Sequence, residues 1–164
     1  MEDILEVYAR PYDPQRPVVC MDEVCKQLVS EARAPLPSKP GQPRRVDFEY
    51  RREGVCNVFL SCEPLRGRRQ VAVTDRRTKA DWAYCMRDLV DVHFPDTLLI
   101  RVVQDNLNTH DPSALYEVFE PAEARRILDR LEFHYTPKHG SWLNMAEIEI
   151  GVLSRQCLSQ YIPT

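Results

Sequence analysis

The stretch Thr97-Leu98-Leu99-Ile100-Arg101-Val102-Val103-Gln104-Asp105-Asn106 decides how this chain folds, because an apolar run ends abruptly in a carboxylate and an amide. A run this apolar predicts a strand over 97–105 that is buried on both faces, as in parallel or mixed sheets. In open α/β sheets, groups at the carboxyl ends of central strands line the crevice that ligands enter. Asp105 is therefore placed like a functional residue.

A second stretch, Val18-Val19-Cys20-Met21-Asp22-Glu23, repeats the pattern of four apolar residues followed by acids. If the two strands are parallel neighbours, Asp22 and Asp105 emerge next to each other at one edge of the sheet. Two carboxylates held that close repel each other at low dielectric unless a cation lies between them. The pattern therefore predicts a divalent metal ion between the two aspartates.

Length and composition indicate one α/β domain, since the chain has 164 residues, of which 43% are hydrophobic and 29% charged. No apolar stretch approaches the roughly 20 residues that span a bilayer, and the first residues lack the basic start of a signal peptide. We therefore expect a cytoplasmic protein without membrane contacts. The six cysteines form no Cys-x-x-Cys pair, which favours free thiols.

The order of predicted elements is strand, two-strand hairpin, helix, strand, helices, strand and helix. This order predicts a five-stranded mixed sheet with helices on both faces. The segment before the first strand shows no clear element over 1–16, so we expect a linker-like segment 1–17 and a domain 18–164. The predicted elements are strands 18–22, 54–62, 69–74, 97–105 and 132–136, short helices up to Leu131, and a last helix over 144–160.

Another helix is predicted to follow Thr78, which can cap it with Asp81 at the third position. Its apolar positions fall on one face at helical spacing, which is typical of core packing. These positions are Trp82, Cys85, Met86, Leu89 and Val92 or His93.

Proline and arginine mark one unusual segment. Four prolines lie within Pro35–Pro43, which excludes helix and central strand and predicts a long protruding loop over 34–52. The chain has a net charge of −3, yet residues 39–79 carry eleven basic and five acidic side chains. This segment could face a polyanion, and a solvated arginine-rich hairpin is the alternative.

An acidic strand end such as Asp22-Glu23 also occurs in nucleotide-binding ATPases. That class needs a glycine-rich phosphate loop that ends in Gly-Lys-Ser/Thr. The five glycines are scattered and none precedes a lysine, so we exclude this class.

Glu147 is the candidate third acid, but spacing alone favours a structural role. Asn144 followed three residues later by Glu147 is a helix-capping pattern, in which the glutamate reaches back to the cap amide. Glu149 is an alternative ligand. Two residues along a helix correspond to about 200° of rotation, so only one of the two glutamates can face a metal.

Three motifs in this order resemble the three-acid signature of mariner-related bacterial insertion-sequence transposases, which belong with retroviral integrases to the ribonuclease-H-like superfamily. The motifs are Met21-Asp22-Glu23, then Gln104-Asp105-Asn106 with His110, then Tyr135-Thr136-Pro137 leading to Ser141-Trp142-Leu143-Asn144-Met145-Ala146-Glu147. The resemblance covers roughly residues 8–160. It implies a ribonuclease-H-like fold and a DDE transposase catalytic domain.

The resemblance also implies how the site would work. Asp22, Asp105 and Glu147 would be catalytic and would bind two Mg²⁺ or Mn²⁺ ions, with Asp22 shared by both ions. Transposon ends and target DNA would be the double-stranded substrates. The residues expected to support the metal ligands or contact DNA are Asn106, His110 and Asn144. A cap or turn role is the alternative for each of them.

Members of this family join an upstream DNA-reading module to the catalytic domain and act as dimers, in which a loop at the position of 34–52 reaches the partner subunit. The resemblance therefore implies that the upstream module is absent here, that the last helix is truncated, and that the full-length protein is a homodimer. The candidate DNA or partner contacts are Lys39, Arg44, Arg45, Arg51 and Arg52. The alternative function is a catalytically silent remnant that regulates by binding DNA or a transposase.

Overall fold

Five strands form one mixed sheet at the centre of the fold, in the order β3-β2-β1-β4-β5. The computed structural model describes residues 1–159 and 162. The strands are β1 Val18–Glu31, β2 Tyr50–Glu63, β3 Arg68–Thr74, β4 Ile100–Gln104 and β5 Leu131–Tyr135. The helices are α1 Glu2–Ala9, α2 Lys79–Asp88, α3 Ser113–Val118, α4 Pro121–Leu128 and α5 Met145–Gln156.

The sheet combines both kinds of pairing. The first three strands form an antiparallel meander, in which β2 pairs with β1 and with β3. On its other side, β1 pairs in parallel with β4, and β4 pairs in parallel with β5. The prediction of a five-stranded mixed sheet is therefore confirmed.

Two hydrophobic cores cover the two faces of this sheet, so the prediction of helices on both faces is also confirmed. The core beneath α2, α3 and α4 contains Trp82, Leu115 and Ile127, which are all fully buried. The opposite core, beneath α1 and α5, contains Cys20 and Val103 from the sheet. Because side chains alternate along a strand, neighbouring residues of β1 enter different cores.

The prediction that residues 1–16 contain no regular element is wrong, because Glu2–Ala9 forms α1. Ile4 and Val7 of this helix are completely buried in the core that α5 also covers. The prolines that follow this segment led to the prediction of an irregular chain. Two apolar residues one helical turn apart are enough to pack a short helix against the sheet. The division into a segment 1–17 and a domain 18–164 stays a prediction.

Helix α2 begins at the predicted cap, and the side chains of Thr78 and Asp81 form a reciprocal capping box. Trp82 and Met86 point into the core as predicted, but Val92 is 64% exposed. The reason is a π-helical turn over Leu89–His93, which shifts the helical period after Leu89.

Strand β4 is shorter than predicted, because 97–99 precede it without joining the sheet. The amides of Leu98 and Leu99 donate to the carbonyl oxygen of Gln15, at 2.9 and 3.2 Å. Leu98 is consequently 64% exposed and Leu99 only partly buried, whereas Ile100, Val102 and Val103 are buried as predicted.

Strands β1 and β2 are much longer than predicted and extend past the rest of the sheet. They stay paired to each other as far as Glu31 and Tyr50. We call residues 26–56 the β1–β2 arm. The predicted loop 34–52 forms its end, with isolated bridges at Leu36–Arg45 and Lys39–Gln42, while Tyr50–Arg52 already belong to β2.

The last predicted helix is also present, and α5 ends at Gln156. Residue 160, the predicted end of the helix, lies outside the described residues. All six cysteines are free thiols. Within 1–159 and 162, no helix is long and apolar enough to cross a membrane.

Candidate active site

The register of β1 and β4 brings the two candidate aspartates to one edge of the sheet. Cys20 of β1 is paired with Val103 of β4. Asp22 comes two residues after Cys20, and Asp105 comes two residues after Val103. Side chains two residues apart leave a strand on the same face. Because Cys20 lies in the core beneath α5, this parity directs Asp22 towards α5, whereas Asp105 follows the last residue of β4 and emerges at the same edge of the sheet.

Asn144 attaches the beginning of α5 to β1 immediately before Asp22. Its side-chain Nδ2 donates to the carbonyl oxygen of Met21 at 2.8 Å, and its Oδ1 accepts from the amide of Ala146 at 3.2 Å. Asn144 is buried, and both ends of its amide are used within the protein. This arrangement suits a role in positioning α5, and the buried side chain is not accessible to DNA.

Glu147 lies in the first turn of α5 and is exposed. The helix cap is formed by Asn144 and Ala146, and the Glu147 side chain does not complete a capping box at Asn144. The backbone amide of Glu147 instead donates to the carbonyl oxygen of Asn144 at 3.1 Å. The capping explanation for a glutamate at this position is therefore not supported by the contacts.

The three candidate acids are close enough to influence one another. The pKa of Asp22 is raised to about 6, mainly by burial. The hydrogen bond from the Glu23 amide to Asp22 Oδ1, 2.8 Å long, opposes this shift. Repulsion from the carboxylates of Glu23, Asp105 and Glu147 adds to it. A cation at this edge would relieve the repulsion.

The donor set suits a hard divalent cation, because carboxylate oxygens are the ligands that Mg²⁺ prefers. Among residues 1–159 and 162, however, no three His, Cys, Asp or Glu side chains stand close enough to enclose an ion. Asp22, Asp105 and Glu147 thus converge on one edge without forming a closed cage. An open arrangement is compatible with Mg²⁺, which retains waters and substrate oxygens among its ligands.

Glu149, the alternative third acid, points elsewhere. Its carboxylate pairs with the guanidinium of Arg69 on β3, and Arg69 Nη2 donates to Glu149 Oε1 at 3.0 Å. Repulsion from Glu147 contributes to the raised pKa of Asp22, whereas Glu149 is held by Arg69. The geometry therefore favours Glu147 over Glu149 as the partner of the aspartates.

His110 lies behind Asp105, with its side chain completely buried. Its Nδ1 is 2.6 Å from Asp105 Oδ1, and its Nε2 is 3.0 Å from Glu23 Oε2. Burial alone would lower the pKa of His110, but these two carboxylates raise it to about 9. The imidazole is consequently protonated near neutral pH, in close charge contact with both carboxylates, and it is not accessible to DNA.

Asn106 differs from the other two supporting candidates because it is exposed, directly after Asp105. An exposed amide at the mouth of the site can contact a substrate. The structure thus separates the three residues, with His110 and Asn144 inside the protein and Asn106 at its surface.

Glu23 is a residue of the site that the sequence interpretation left without a role. Its side chain is only 1% exposed, although it is charged and follows Asp22 directly. A signal was present in the alternation of β1, since Glu23 shares a strand face with the buried Val19 and Met21. A carboxylate at an interior position of an apolar face indicates a specific partner.

The basic candidates lie on the β1–β2 arm, away from the carboxylates. All five are exposed, and Arg44 is 3.2 Å from Glu31 Oε1 on the same arm. Phe48 is 88% exposed, which is unusual for a large apolar side chain. The residues predicted to contact DNA or a partner are Lys39, Arg44, Arg45, Arg51 and Arg52.

Comparisons with known proteins support this reading of the fold. In overall structure, the chain is similar to the crystal structure of the Mos1 mariner paired end complex with Mn, with a TM-score of 0.57 and 16% sequence identity. The similarity covers 99% of this chain and 48% of the Mos1 chain, so this chain spans about half the length of that protein. The predicted ribonuclease-H-like fold is thereby confirmed. No curated protein matches the chain.

A family-level comparison goes further than the fold. The model of a family described as "DDE superfamily endonuclease" matches residues 17–164, which is nearly the whole chain. The matched region includes both aspartates at the sheet edge and the beginning of α5. The chain belongs to the DDE superfamily of endonucleases.

Proposed function

We propose that this chain is the catalytic domain of a transposase related to the mariner-type bacterial insertion-sequence enzymes. It would cleave DNA strands at transposon ends by hydrolysis and join the resulting 3′-hydroxyl to target DNA. Membership of the DDE endonuclease superfamily supports the general class of reaction. The observation that carries the proposal is the parallel register of β1 and β4, which brings Asp22 and Asp105 to the same edge of the sheet.

Asp22, Asp105 and Glu147 would hold two Mg²⁺ or Mn²⁺ ions. When bound, such ions supply activation of the attacking hydroxyl and stabilisation of the departing oxygen. The pKa of Asp22 is raised mainly by burial, and repulsion from the neighbouring carboxylates adds to this shift. That repulsion supports the assignment, because a bound dication would relieve it.

The surrounding residues would keep these carboxylates in place. The amide of Glu23 donates to one oxygen of Asp22 and leaves the other oxygen for a ligand. Asn144 connects the start of α5 to β1, which sets the position of Glu147 relative to Asp22. Rigid placement of ligands matters because phosphoryl chemistry depends mostly on positioning and charge stabilisation.

The β1–β2 arm would provide contacts outside the catalytic site. Its exposed lysine and arginine side chains suit the phosphates of double-stranded DNA, and the exposed Phe48 suits an apolar contact with a second copy of the protein. The proposal therefore includes a homodimer in the full-length protein. The proposal takes DNA of a bacterial host as the substrate, so the protein would act in the cytoplasm of that host.

Metal binding by the 164-residue chain tests the proposal directly. Titration with Mn²⁺, followed by calorimetry, should give saturable binding that Asp22→Asn and Asp105→Asn each abolish or strongly weaken. Asp96→Asn is the matched control, because Asp96 is an exposed aspartate outside the site. Equal binding by all four proteins, or no binding by the wild type, would contradict the assignment.

Nicking of supercoiled plasmid in Mg²⁺ then tests the reaction. We expect nicking by the full-length protein and none by Asp22→Asn or Asp105→Asn when both variants remain folded. A wild-type protein that binds DNA but never nicks it, whether or not it binds Mn²⁺, would favour the silent regulatory module instead.

A further inference from the structure

Glu23 occupies a buried position where an ionised carboxylate is energetically unfavourable. It shares a face of β1 with Met21 and Val19, and its side chain is 1% exposed. An ionised carboxyl in such a place costs free energy unless other groups compensate its charge. An apolar side chain of similar size would fill the same space at lower cost, so a specific task has to explain the acid.

The contacts of Glu23 lead towards the metal site through one imidazole. Glu23 Oε2 is 3.0 Å from His110 Nε2, and His110 Nδ1 is 2.6 Å from Asp105 Oδ1. On its other side, Glu23 Oε1 is 3.5 Å from Nη1 of Arg77, which is partly exposed. The carboxylate oxygens of Glu23, Nε2 of His110 and Oδ1 of Asp105 make no hydrogen bond to any described residue, so these are close charge contacts. The hydrogen bond of His110 Nδ1 is to the backbone carbonyl oxygen of Asp105, at 3.4 Å.

The imidazole is also supported from its sides. The ring of Trp82 stacks on His110 with a centroid distance of 6.1 Å. The indole of Trp82 donates to Gln104 Oε1 at 3.0 Å, and Gln104 Nε2 donates to the backbone carbonyl oxygen of His110 at 3.3 Å. The position of the ring is therefore set by packing, and the contacts of its two nitrogens determine which way it faces.

We propose that Glu23 is a positioning residue, which orients His110 so that His110 holds the carboxylate of Asp105 in the geometry that a metal ion requires. Asp105 follows the last residue of β4, so the strand itself does not fix its side chain. A contact from His110 to Oδ1 restrains the carboxylate and leaves Oδ2 for a ligand. Partners that orient a metal ligand from behind commonly determine metal affinity. This inference rests on the proposed function, because it takes Asp105 as a metal ligand.

A second glutamate–histidine–aspartate group in the same protein provides a matched control. His134 Nε2 is 3.0 Å from Glu132 Oε1, and His134 Nδ1 is 2.9 Å from Asp3 Oδ2. This group lies on β5 and α1 and includes none of the candidate metal ligands. Substitution of Glu132 removes a carboxylate–imidazole contact, together with ion pairs to Arg10 and Arg101, at a place that includes no candidate metal ligand.

The test compares Mn²⁺ affinity, measured by calorimetry, for the wild type, Glu23→Leu and Glu132→Leu. We expect Glu23→Leu to bind Mn²⁺ about 10- to 100-fold more weakly, while its thermal midpoint in EDTA stays equal or rises. Glu132→Leu should keep wild-type affinity. A folded Glu23→Leu with affinity within twofold of the wild type would overturn the proposal, and so would an equal loss in Glu132→Leu.

A spectroscopic measurement makes the test independent of activity and of metal. The ¹⁵N signals of the His110 ring in the metal-free protein should shift in Glu23→Leu, and unchanged signals would overturn the proposal. If Glu23→Leu does not fold, Glu23→Gln is measured in the same way. Failure of the proposed function would look different, because Asp22→Asn would then bind Mn²⁺ as well as the wild type.

Discussion

Arg69 on β3 holds Glu149 of α5 by two hydrogen bonds, of which the one from Nη2 to Oε1 is 3.0 Å long. This pair shows how α5 is turned about its own axis. Since Glu149 is turned towards β3, Glu147, two residues earlier, leaves the helix in a different direction, and its charge reaches Asp22. Glu149 is thus engaged in an ion pair outside the candidate site, whereas Glu147 lies near Asp22.

The first prediction concerns the two glutamates of α5. Glu147→Gln should leave the free energy of unfolding nearly unchanged and remove most DNA nicking, because a neutral amide is a poor ligand for a hard dication. Glu149→Gln should lose little stability and keep its activity, because exposed ion pairs contribute little. Urea unfolding and plasmid nicking measure both effects. Full activity in Glu147→Gln combined with loss in Glu149→Gln would move the third ligand to Glu149.

The second prediction concerns the electrostatic cost of Asp22. Its folded pKa of about 6 exceeds the usual 3.8, so the ionised group destabilises the metal-free fold. The cost develops as the pH rises from about 4 to about 6 and remains above that range. Asp22→Asn should therefore be more stable than the wild type at neutral pH in EDTA, by about 1 to 3 kcal/mol after allowance for partial exposure. The difference should shrink towards about pH 4.

Urea unfolding at both pH values checks this dependence, with Asp96→Asn as a charge-matched control outside the site. A wild type that is more stable than Asp22→Asn at neutral pH in EDTA would contradict the predicted repulsion. Equal gains in Asp22→Asn and Asp96→Asn would instead indicate a general effect of net charge.

The third prediction concerns the attachment of α5. Asn144→Ala removes both the helix cap and the bond to the Met21 carbonyl, and should cost about 1 to 3 kcal/mol of stability. Asn144→Ser restores a cap but cannot reach Met21, so it should recover roughly the capping part, about 1 kcal/mol. Both variants should bind Mn²⁺ more weakly than the wild type. Wild-type affinity in Asn144→Ser would show that the bond to Met21 does not position the site.

The fourth prediction concerns the loop 34–52 at the end of the β1–β2 arm. Its prolines and arginines bury little surface, so trypsin should cleave the free protein there before it cleaves elsewhere, and double-stranded DNA should slow this cleavage. Complete resistance of this loop in the free domain would count against the prediction.

Charge removal on the arm tests the same contacts by equilibrium binding. Replacement of Arg44, Arg45, Arg51 and Arg52 by alanine should weaken DNA binding and reduce its salt dependence by about 0.9 in slope for each lost phosphate contact. The double replacement of Arg125 and Arg126 on α4 is the control, since these arginines pair with Asp129 and Asp91. An equal loss in the control would mean that net charge, rather than the arm, is responsible.

Much of the architecture follows from local pattern. The apolar runs before Asp22 and Asp105 and the capping box at Thr78 each predict their element correctly. Helix α1 and the π-helical turn were not predictable in this way. A helix of eight residues is marginal on its own and forms here because Ile4 and Val7 are buried against the sheet.

The sequence by itself determined which residues could carry the chemistry, because an acid that follows a buried apolar run has to emerge at the end of a strand. It left the choice between Glu147 and Glu149 open, and it contained no partner for Glu23. Only the tertiary structure decided these points. The directions of Glu149 and His110 depend on Arg69 and Glu23, which lie far from them along the chain and become neighbours only when the sheet is assembled. Contacts between distant residues leave no local periodicity, so no pattern along the chain could predict them.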